Sequence, residues 1–168
     1  NIPGLSPDIM DSLKPHLQLA ETMGLLISQL SGGQIQKLEV RLQGEFVQHP
    51  SQPLIIASLK GLLSKALGDR INYVNASLEA ESRGISVFES KDEARPEFAS
   101  GSLQLTTFGD NGEHSVAGSI FADGELRIIS IDQYPVNVSP SRFMLITRHR
   151  DMPGIIGKLG SLLGDHNQ

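Results

Sequence analysis

Histidines, arginines and one glycine-rich turn are the residues of this sequence most able to do chemistry. The five histidines are scattered along the chain, with no two at the spacing of metal ligands: His16, His49, His114, His149 and His166. A zinc site needs three or four ligands in one place, and the sequence has no cysteine to add. No nucleophile stands in a recognisable catalytic frame either. The sequence therefore predicts no metal site and no catalytic residue.

A glycine-rich segment at residues 154–160, Gly-Ile-Ile-Gly-Lys-Leu-Gly, superficially resembles a phosphate-binding loop. Such a loop needs a glycine where this chain has Met152, and a serine or threonine where it has Leu159. The favoured interpretation is structural, because glycines let a helix pack closely on a sheet. The functional alternative is that the turn before this helix binds a small carboxylate through free N–H groups and the positive end of the helix dipole.

Four arginines lie close to a proline- and serine-containing stretch at residues 133–142. They are the candidates for binding an anion: Arg127, Arg142, Arg148 and Arg150. Guanidinium groups that flank an interdomain joint can hold a phosphate or a carboxylate through paired hydrogen bonds. Exposed charge that only increases solubility fits the spacing equally well. Lys37 and Arg41 flank Glu39, and there a solvated strand face is the favoured interpretation over an anion site.

The composition narrows the classes of function. Of the 168 residues, 39% are hydrophobic and 20% are charged, which suffices for a packed core and excludes general disorder. The net charge is −5, from 14 basic and 19 acidic residues, so a nucleic-acid partner is not expected. The apolar runs are too short to cross a bilayer, so a membrane partner is not expected either.

Apolar residues three and four positions apart predict helices over residues 6–14, 15–31 and 53–67, with Pro15 separating the first two. A short helix is predicted over residues 75–83. Strict alternation predicts a half-exposed strand over residues 35–44, with Leu38, Val40 and Leu42 on its buried face. Residues 85–88 are a candidate strand, and residues 91–97 are a candidate charged loop.

The middle of the chain predicts a three-stranded antiparallel meander over residues 103–108, 114–121 and 125–131. Its strands are separated by Asn111-Gly112 and Asp123-Gly124, dipeptides that supply the positive φ angles of tight hairpins. A linker with prolines and serines is predicted at 133–142, followed by a strand at 143–149 and a helix at 155–163. One strand–helix unit cannot bury both of its faces, so we expect it to belong to a second, incomplete domain.

Two stretches of the sequence resemble known regulatory modules. Residues 147–157, Thr-Arg-His-Arg-Asp-Met-Pro-Gly-Ile-Ile-Gly, resemble the opening strand, turn and helix of an ACT domain, a small module of amino-acid metabolism. The preceding part resembles the intervening, or allosteric substrate-binding, domain of the long-form D-3-phosphoglycerate dehydrogenase family. The matching segments are residues 33–44, 59–62, 73–76 and 123–124, and residues 1–4 resemble the exit from that family's catalytic core.

This resemblance implies an α+β fold, with an antiparallel sheet packed with helices, followed by the first strand–helix unit of a ferredoxin-like ACT domain. The implied organisation is an exit segment at residues 1–14, an intervening domain at 15–132, a linker at 133–142 and a truncated start of the ACT domain at 143–168. Members of the family oxidise D-3-phosphoglycerate with NAD in the first step of L-serine biosynthesis. Their NAD-binding and catalytic domains would precede this chain, which is therefore expected to be regulatory, oligomer-forming, non-catalytic and free of cofactors.

The resemblance also implies effector sites and partners. The residues implied for L-serine are His149, Asp151 and Gly154. The residues implied for a phosphate-bearing or carboxylate anion are Arg127, Arg142 and Lys60. The family further implies a homo-oligomer, a dimer or a tetramer, in the cytoplasm, or in a plastid where the source is a photosynthetic eukaryote. Two alternatives stay open, namely the related domain of iron–sulfur L-serine dehydratase and a free-standing amino-acid-sensing domain.

Overall fold

The computed structural model describes residues 7–94, 96, 99–141, 143–150 and 152–165. In this part of the chain, four α-helices accompany a six-stranded sheet, which confirms the predicted α+β class. The elements follow one another in the order α1 (Pro7–Ser31), β1 (Ile35–Gly44), α2 (Ser51–Leu67), α3 (Ala76–Ser82), β2 (Ser86–Asp92), β3 (Gly101–Gly109), β4 (Gly112–Ile120), β5 (Leu126–Ile131), β6 (Tyr134–Val138) and α4 (Ile155–Asp165). A 3-10 turn, Glu45–Gln48, follows β1, and a second, Gly68–Arg70, follows α2.

The strands lie side by side in the order β2-β1-β3-β4-β5-β6. The predicted meander is confirmed as β3, β4 and β5, which pair antiparallel through the two expected hairpins. The sheet is antiparallel, as predicted, except at one place, because β1 and β2 run parallel, with Lys37 opposite Ser86. The chain between these two strands passes through α2 and α3, and a parallel pair requires a crossover connection of this kind.

Helices α1 and α2 cover one face of the sheet and bury the core. The alternation predicted for β1 is confirmed, since Leu38, Val40 and Leu42 are fully buried on the covered face. The two helices cross so closely that a Cβ atom at Gly24 would lie 2.1 Å from the backbone oxygen of Ser58. A Cβ at Gly61 would lie 2.0 Å from the backbone oxygen of Glu21, so only glycine permits this crossing.

The predicted break at Pro15 is wrong, because α1 runs through this residue without interruption. An internal proline removes one helical hydrogen bond and disfavours the helix by about 3 kcal/mol. Leu13, Leu17 and Leu19 around it are buried in the core. Each buried leucine contributes roughly 1.5–3 kcal/mol, so tertiary packing outweighs the local preference.

The linker predicted at 133–142 begins with a strand. Asp132 and Gln133 both have positive φ, at 46° and 68°, and form a tight turn that returns the chain as β6 along β5. The Asp132 carboxylate accepts a hydrogen bond from the Ser115 backbone N–H at 3.0 Å and lies 3.0 Å from His114 Nδ1. These side-chain contacts hold a turn that lacks the usual glycine, which is why the sequence pattern did not indicate it.

The strand predicted at 143–149 is also wrong, since residues 143–150 form no regular element. None of the six described strands pairs with this segment, and Phe143 and Leu145 are exposed. The helix predicted after it is confirmed as α4, which has no buried residue. The structure thus joins a packed domain to a strongly exposed apolar segment.

Candidate functional site

The sheet presents one polar face, which we call the open face because α1 and α2 cover the other. Alternation along each strand decides which residues it carries. Gly118 lies under α1, where an added Cβ would meet Met23, so its neighbour Ser119 and the opposite residue Arg127 point away from the helices. Other residues that the register places on this face are Lys37, Glu39, Arg41, Phe88, Ser90, Asp92, Gln104, Thr106 and Phe108.

Arg127, the first residue predicted for the anion site, is held by three neighbouring elements. Its guanidinium donates to Asn137 Oδ1 on β6 at 3.1 Å and to Glu125 Oε2 at 2.8 Å. Asp123, in the turn before β5, lies 3.9 Å away, and the guanidinium stacks 5.1 Å from the centre of the Phe121 ring. The Nε atom is buried and makes no hydrogen bond among the described residues. Arg127 therefore has one N–H donor, at Nε, that no described residue accepts.

The electrostatics around Arg127 are mixed. Glu125 and Asp123 place two carboxylates against one guanidinium, so an anion that bound there would compete with them. Both carboxyl groups are about half exposed, and exposed ion pairs of this kind contribute roughly 0–1 kcal/mol each. A divalent anion can displace such partners, because it carries twice the charge of one carboxylate and can accept two parallel hydrogen bonds from the guanidinium.

Lys60, another predicted anion ligand, is engaged elsewhere. Its ammonium pairs with the Glu21 carboxylate of α1 and lies 4.8 Å from the centre of the Tyr73 ring. The Tyr73 hydroxyl donates to the other oxygen of Glu21 at 2.6 Å. Burial, followed by the hydrogen bond to Glu21, raises the pKa of Tyr73, which keeps the phenol protonated as the donor. This triad ties α1, α2 and the turn before α3 together.

The structure does not bring the predicted anion residues to one place. Lys60 belongs to the helical layer and Arg127 to the open face on the other side of the sheet. Arg142 lies outside the described residues. Arg148 is placed over the Tyr134 ring of β6 at 5.5 Å, which makes it a neighbour of the same edge strand as Asn137.

Of the residues predicted for L-serine, His149 and Gly154 are described, and both precede α4. His149 is exposed, and its Nδ1 lies 3.2 Å from the backbone oxygen of Arg150. Gly154 has φ +84° and precedes α4, where its backbone oxygen accepts from Lys158 N–H at 3.1 Å. A positive φ at this position explains the glycine, since other residues adopt it with strain. Asp151 lies outside the described residues.

The open face also holds an arrangement of charged and aromatic side chains around Lys37 and Arg41, where the sequence favours a solvated strand face. The Lys37 ammonium lies 4.3 Å from the centre of the Phe108 ring and 5.2 Å from that of Phe88. Arg41 donates to Asp92 Oδ2 at 2.5 Å on the neighbouring strand. The backbone N–H of Ala94 and then the Arg41 and Gln43 side chains lower the pKa of Asp92.

Next to this ion pair the open face forms a concavity of about 500 Å³, whose walls include Gln104 and Thr106. The alternation predicted for β1 places Lys37, Glu39 and Arg41 on this side of the sheet. The pairing that brings Asp92 to Arg41 could not be predicted, because it depends on the parallel register of β1 and β2.

Two histidines that are distant in sequence, His16 and His49, are in contact in the structure. The rings of His16 in α1 and His49 after β1 have centres 4.1 Å apart, and the Phe46 ring lies 4.9 Å from His16. Burial, followed by the proximity of His49, lowers the pKa of His16 to about 4, with a hydrogen bond to the Ser12 backbone opposing the shift. Burial also lowers the pKa of His49, against the attraction of Glu45. Both imidazoles are therefore neutral at pH 7.

In the part of the chain that the structure describes, no group of three or more His, Asp or Glu side chains is arranged to hold a metal ion. None of the described helices is both long enough and apolar enough to cross a bilayer.

These features define a class of protein: an α+β domain whose mostly antiparallel sheet is covered by helices on one face and carries charged residues on the other. The family model of the "D-3-phosphoglycerate dehydrogenase intervening domain" matches residues 12–132, which reach from within α1 to the end of β5. The chain belongs to this family.

Curated relatives match the chain along nearly its whole length. A relative from Synechocystis sp. is 55% identical and one from Archaeoglobus fulgidus is 36% identical, each over 99% of this chain. Both are named D-3-phosphoglycerate dehydrogenase, and a third, from Arabidopsis thaliana, is 27% identical and named D-3-phosphoglycerate dehydrogenase 2, chloroplastic. The chain spans about 30% of the length of these relatives.

Proposed function

We propose that this chain is a regulatory, non-catalytic region of an NAD-dependent D-3-phosphoglycerate dehydrogenase, the enzyme of the first step of L-serine biosynthesis. The observation that carries the proposal is the family match over residues 12–132, which coincides with the packed part of the fold. The names of the relatives favour this enzyme over the related domain of L-serine dehydratase.

In this proposal, NAD and the oxidised substrate bind outside the chain. The relatives are more than three times its length, which leaves room for nucleotide-binding and substrate-binding domains. A nucleotide site of the usual kind needs a glycine-rich turn between a strand and a helix, with the pyrophosphate at the helix N-terminus. The sequence has no Gly-x-Gly-x-x-Gly, so the residues present do not fit the cofactor.

The proposed regulatory anion site centres on Arg127. Its support is the unused buried Nε–H donor, the amide of Asn137 beside it and the screened, displaceable carboxylates of Glu125 and Asp123. A phosphate-bearing or carboxylate anion would take the bidentate position that Glu125 now half occupies. Arg142 is kept as a second cation of this site, and Lys60 is the weakest candidate because Glu21 already pairs with it.

L-serine is the second proposed effector. Its carboxylate would meet the backbone N–H groups at Gly154 and the start of α4, where the helix dipole is positive. Asp151 would accept the ammonium group, and His149 would contact the hydroxyl end. We also propose that the protein forms a homo-oligomer and works in the cytoplasm or, where the source is a photosynthetic eukaryote, in a plastid, as the chloroplastic relative does.

The test is an assay of the full-length protein that contains this chain. We expect NAD reduction with D-3-phosphoglycerate, and a rate that responds to added sulfate. Arg127→Ala should weaken the apparent affinity for sulfate by about tenfold or more, because a charged hydrogen bond is worth roughly 1.5–3 kcal/mol. Arg41→Ala is the matched control, because Arg41 is another open-face arginine paired with a carboxylate, that of Asp92.

Two outcomes would contradict separate parts of the proposal. A full-length protein that does not reduce NAD with D-3-phosphoglycerate contradicts the assigned enzyme. An active enzyme with the same sulfate response in wild type, Arg127→Ala and Arg41→Ala removes Arg127 from the anion site and leaves the enzyme assignment standing.

A further inference from the structure

The two edges of the sheet differ in how well they are protected. At one edge, β6 carries Pro135, and the Arg148 guanidinium lies over its Tyr134 ring. At the other edge, β2 has no proline, and six of its seven residues are exposed, Phe88 by 53%. A strand with a free row of backbone N–H and C=O groups can pair with a further strand. The β2 edge is therefore the surface on which this sheet can extend.

We propose that β2 pairs antiparallel with β2 of a second copy of this chain, about a twofold axis at Ser90, so that the two sheets become one. The proposal names an interface for the homo-oligomer proposed above, and it rests on that part of the proposed function only. It does not depend on the enzymatic activity.

Charge complementarity selects this register. With Ser90 opposite Ser90 of the partner subunit, Glu89 lies opposite the partner subunit's Lys91, and Lys91 lies opposite the partner subunit's Glu89. Residues directly opposite in an antiparallel pair share one face of the sheet and lie about 4.5–5.5 Å apart. The two side chains already reach each other within one chain, with Lys91 Nζ 3.2 Å from Glu89 Oε1. In the dimer, the two contacts within the separate chains are exchanged for two equivalent contacts across the axis.

The neighbouring twofold registers leave charges unmatched. An axis at Glu89 would place the two Glu89 carboxylates opposite each other, which is repulsive. An axis at Phe88 would bring the two Phe88 rings together but would leave Glu89 opposite Val87 and Lys91 opposite Ile85. A shift by a single residue would exchange the two faces of the strand. Of the axes at Phe88, Glu89 and Ser90, the one at Ser90 pairs both charges.

A groove beside the β2 edge fits the incoming lysine. It measures about 350 Å³ and lies between β2 and helices α2 and α3. Ile55, Leu59 and Val87 give it apolar walls, and Glu81 and Glu89 are its acidic residues. No lysine or arginine is among the described residues that line it. A lysine opposite Glu89 can lay its methylene chain on these walls and place its ammonium between the two carboxylates.

The register can be tested by a disulfide across the axis. The chain contains no cysteine, so Ser90→Cys introduces a single thiol. The expected separation of about 4.5–5.5 Å between the two Cα atoms falls within the range that a disulfide spans. Phe88→Cys is the matched control, on the same strand and the same face. Its two copies would lie four residues apart along the strands, about 13 Å, which no disulfide bridges.

Under mild oxidation of the 168-residue chain, we expect a covalent dimer with Ser90→Cys and none with Phe88→Cys, read on a non-reducing gel. Equal cross-linking of both variants would show collision or another register, and no cross-linking of either would show that these edges do not meet. Each of these results overturns the proposal.

Sedimentation velocity on the same chain tests the charges without a covalent bond. Glu89→Lys should weaken self-association by about tenfold or more, because it sets two lysine pairs opposite each other. The double variant Glu89→Lys/Lys91→Glu reverses both charges and should restore the dimer. A wild-type chain that stays monomeric at all concentrations, or a double variant no better than the single one, overturns the interface. Both residues are exposed, so a circular dichroism spectrum should confirm that each variant folds.

These experiments do not read the enzymatic activity. A monomeric wild type would remove the β2 interface and leave the dehydrogenase assignment in place, while a full-length protein without activity would leave the β2 dimer unaffected.

Discussion

The part of the chain from α1 to β6 and the segment from residue 143 to the end of α4 carry similar apolar patterns and bury them very differently. In α1, Leu19, Met23 and Ile27 are fully buried. In α4, no residue is buried, and Ile156 is 71% exposed. An amphipathic pattern decides which face of an element turns inward, but burial also needs an opposing surface. Among the described residues, α1 meets the sheet and α2, whereas α4 meets no such surface.

The glycines of α1 and α2 differ from those of α4 in how closely other atoms approach them. Gly24 and Gly61 lie where α1 and α2 cross, and neither position has room for a Cβ atom. Gly157 and Gly160 in α4 have nothing within 4 Å of the position that a Cβ would take. The sequence interpretation that the α4 glycines allow close packing on a sheet finds no partner surface among the described residues, and close packing at glycine occurs instead where α1 and α2 cross.

The largest expected effect comes from adding one methyl group at the crossing. Gly24→Ala would place its Cβ 2.1 Å from the backbone oxygen of Ser58, an atom that cannot move without displacing α2. Overpacking typically costs about 1–3 kcal/mol, and a clash with backbone lies at or above the upper end. We expect the free energy of unfolding in urea to fall by about 3 kcal/mol or more.

The control for this variant is Gly157→Ala in α4. Alanine raises helix propensity by roughly 0.5–1 kcal/mol over glycine, and here nothing opposes the methyl group. The unfolding midpoint should stay unchanged or rise slightly. If Gly24→Ala is as stable as Gly157→Ala, the helices do not cross as closely as described.

A second pair of variants compares large apolar side chains in the two parts. Leu105 on β3 is fully buried, and truncation to alanine should cost about 2–5 kcal/mol through lost burial and a residual cavity. Ile156→Ala in α4 should change the free energy of unfolding by less than about 0.5 kcal/mol, because most of the side chain is already in water. Chemical denaturation monitored by circular dichroism measures both. Similar losses in the two variants would mean that α4 is packed after all.

Local patterns predicted the fold where neighbours in sequence determine the structure. The Asn111-Gly112 and Asp123-Gly124 hairpins and the alternation of β1 were sufficient for four strands of the sheet. The parallel pairing of β2, the helix through Pro15 and the turn at Asp132 depend on contacts with residues distant in sequence. His114, for example, supports Asp132 from the neighbouring strand. Propensity alone disfavours the helix through Pro15 and the turn at Asp132, and it does not decide the direction in which β2 pairs.

In the candidate site, too, features set by neighbours in sequence could be predicted, and features set by distant contacts could not. The open-face position of Arg127 could be inferred from the meander. The buried Nε and the amide from β6 could not, because the sequence interpretation placed a linker where β6 forms. The contact between His16 and His49 joins residues 33 positions apart, on α1 and after β1, and no spacing rule connects them.

The smallest expected effect concerns that histidine contact inside the packed part. The folded state lowers the pKa of His16 to about 4 from an ordinary value of 6.5, so the folded chain binds fewer protons than the unfolded chain between these pH values. Stability should therefore fall as the pH decreases from about 6.5 toward 4. The ring is only partly buried, so solvent screening reduces the loss to the order of 1–2 kcal/mol.

His16→Phe keeps a ring against Phe46 and removes the titration. Urea unfolding of both proteins at pH 7.0, 6.0, 5.0 and about 4.5 gives the free energy of unfolding as a function of pH. If the wild type is the more stable protein at pH 7.0, the two profiles should converge toward acid pH, and if it is the less stable one, they should diverge. In either case, the wild type loses more stability than the variant over this interval. Parallel pH profiles would show that His16 does not titrate differently on folding, and that the contact with His49 contributes packing alone.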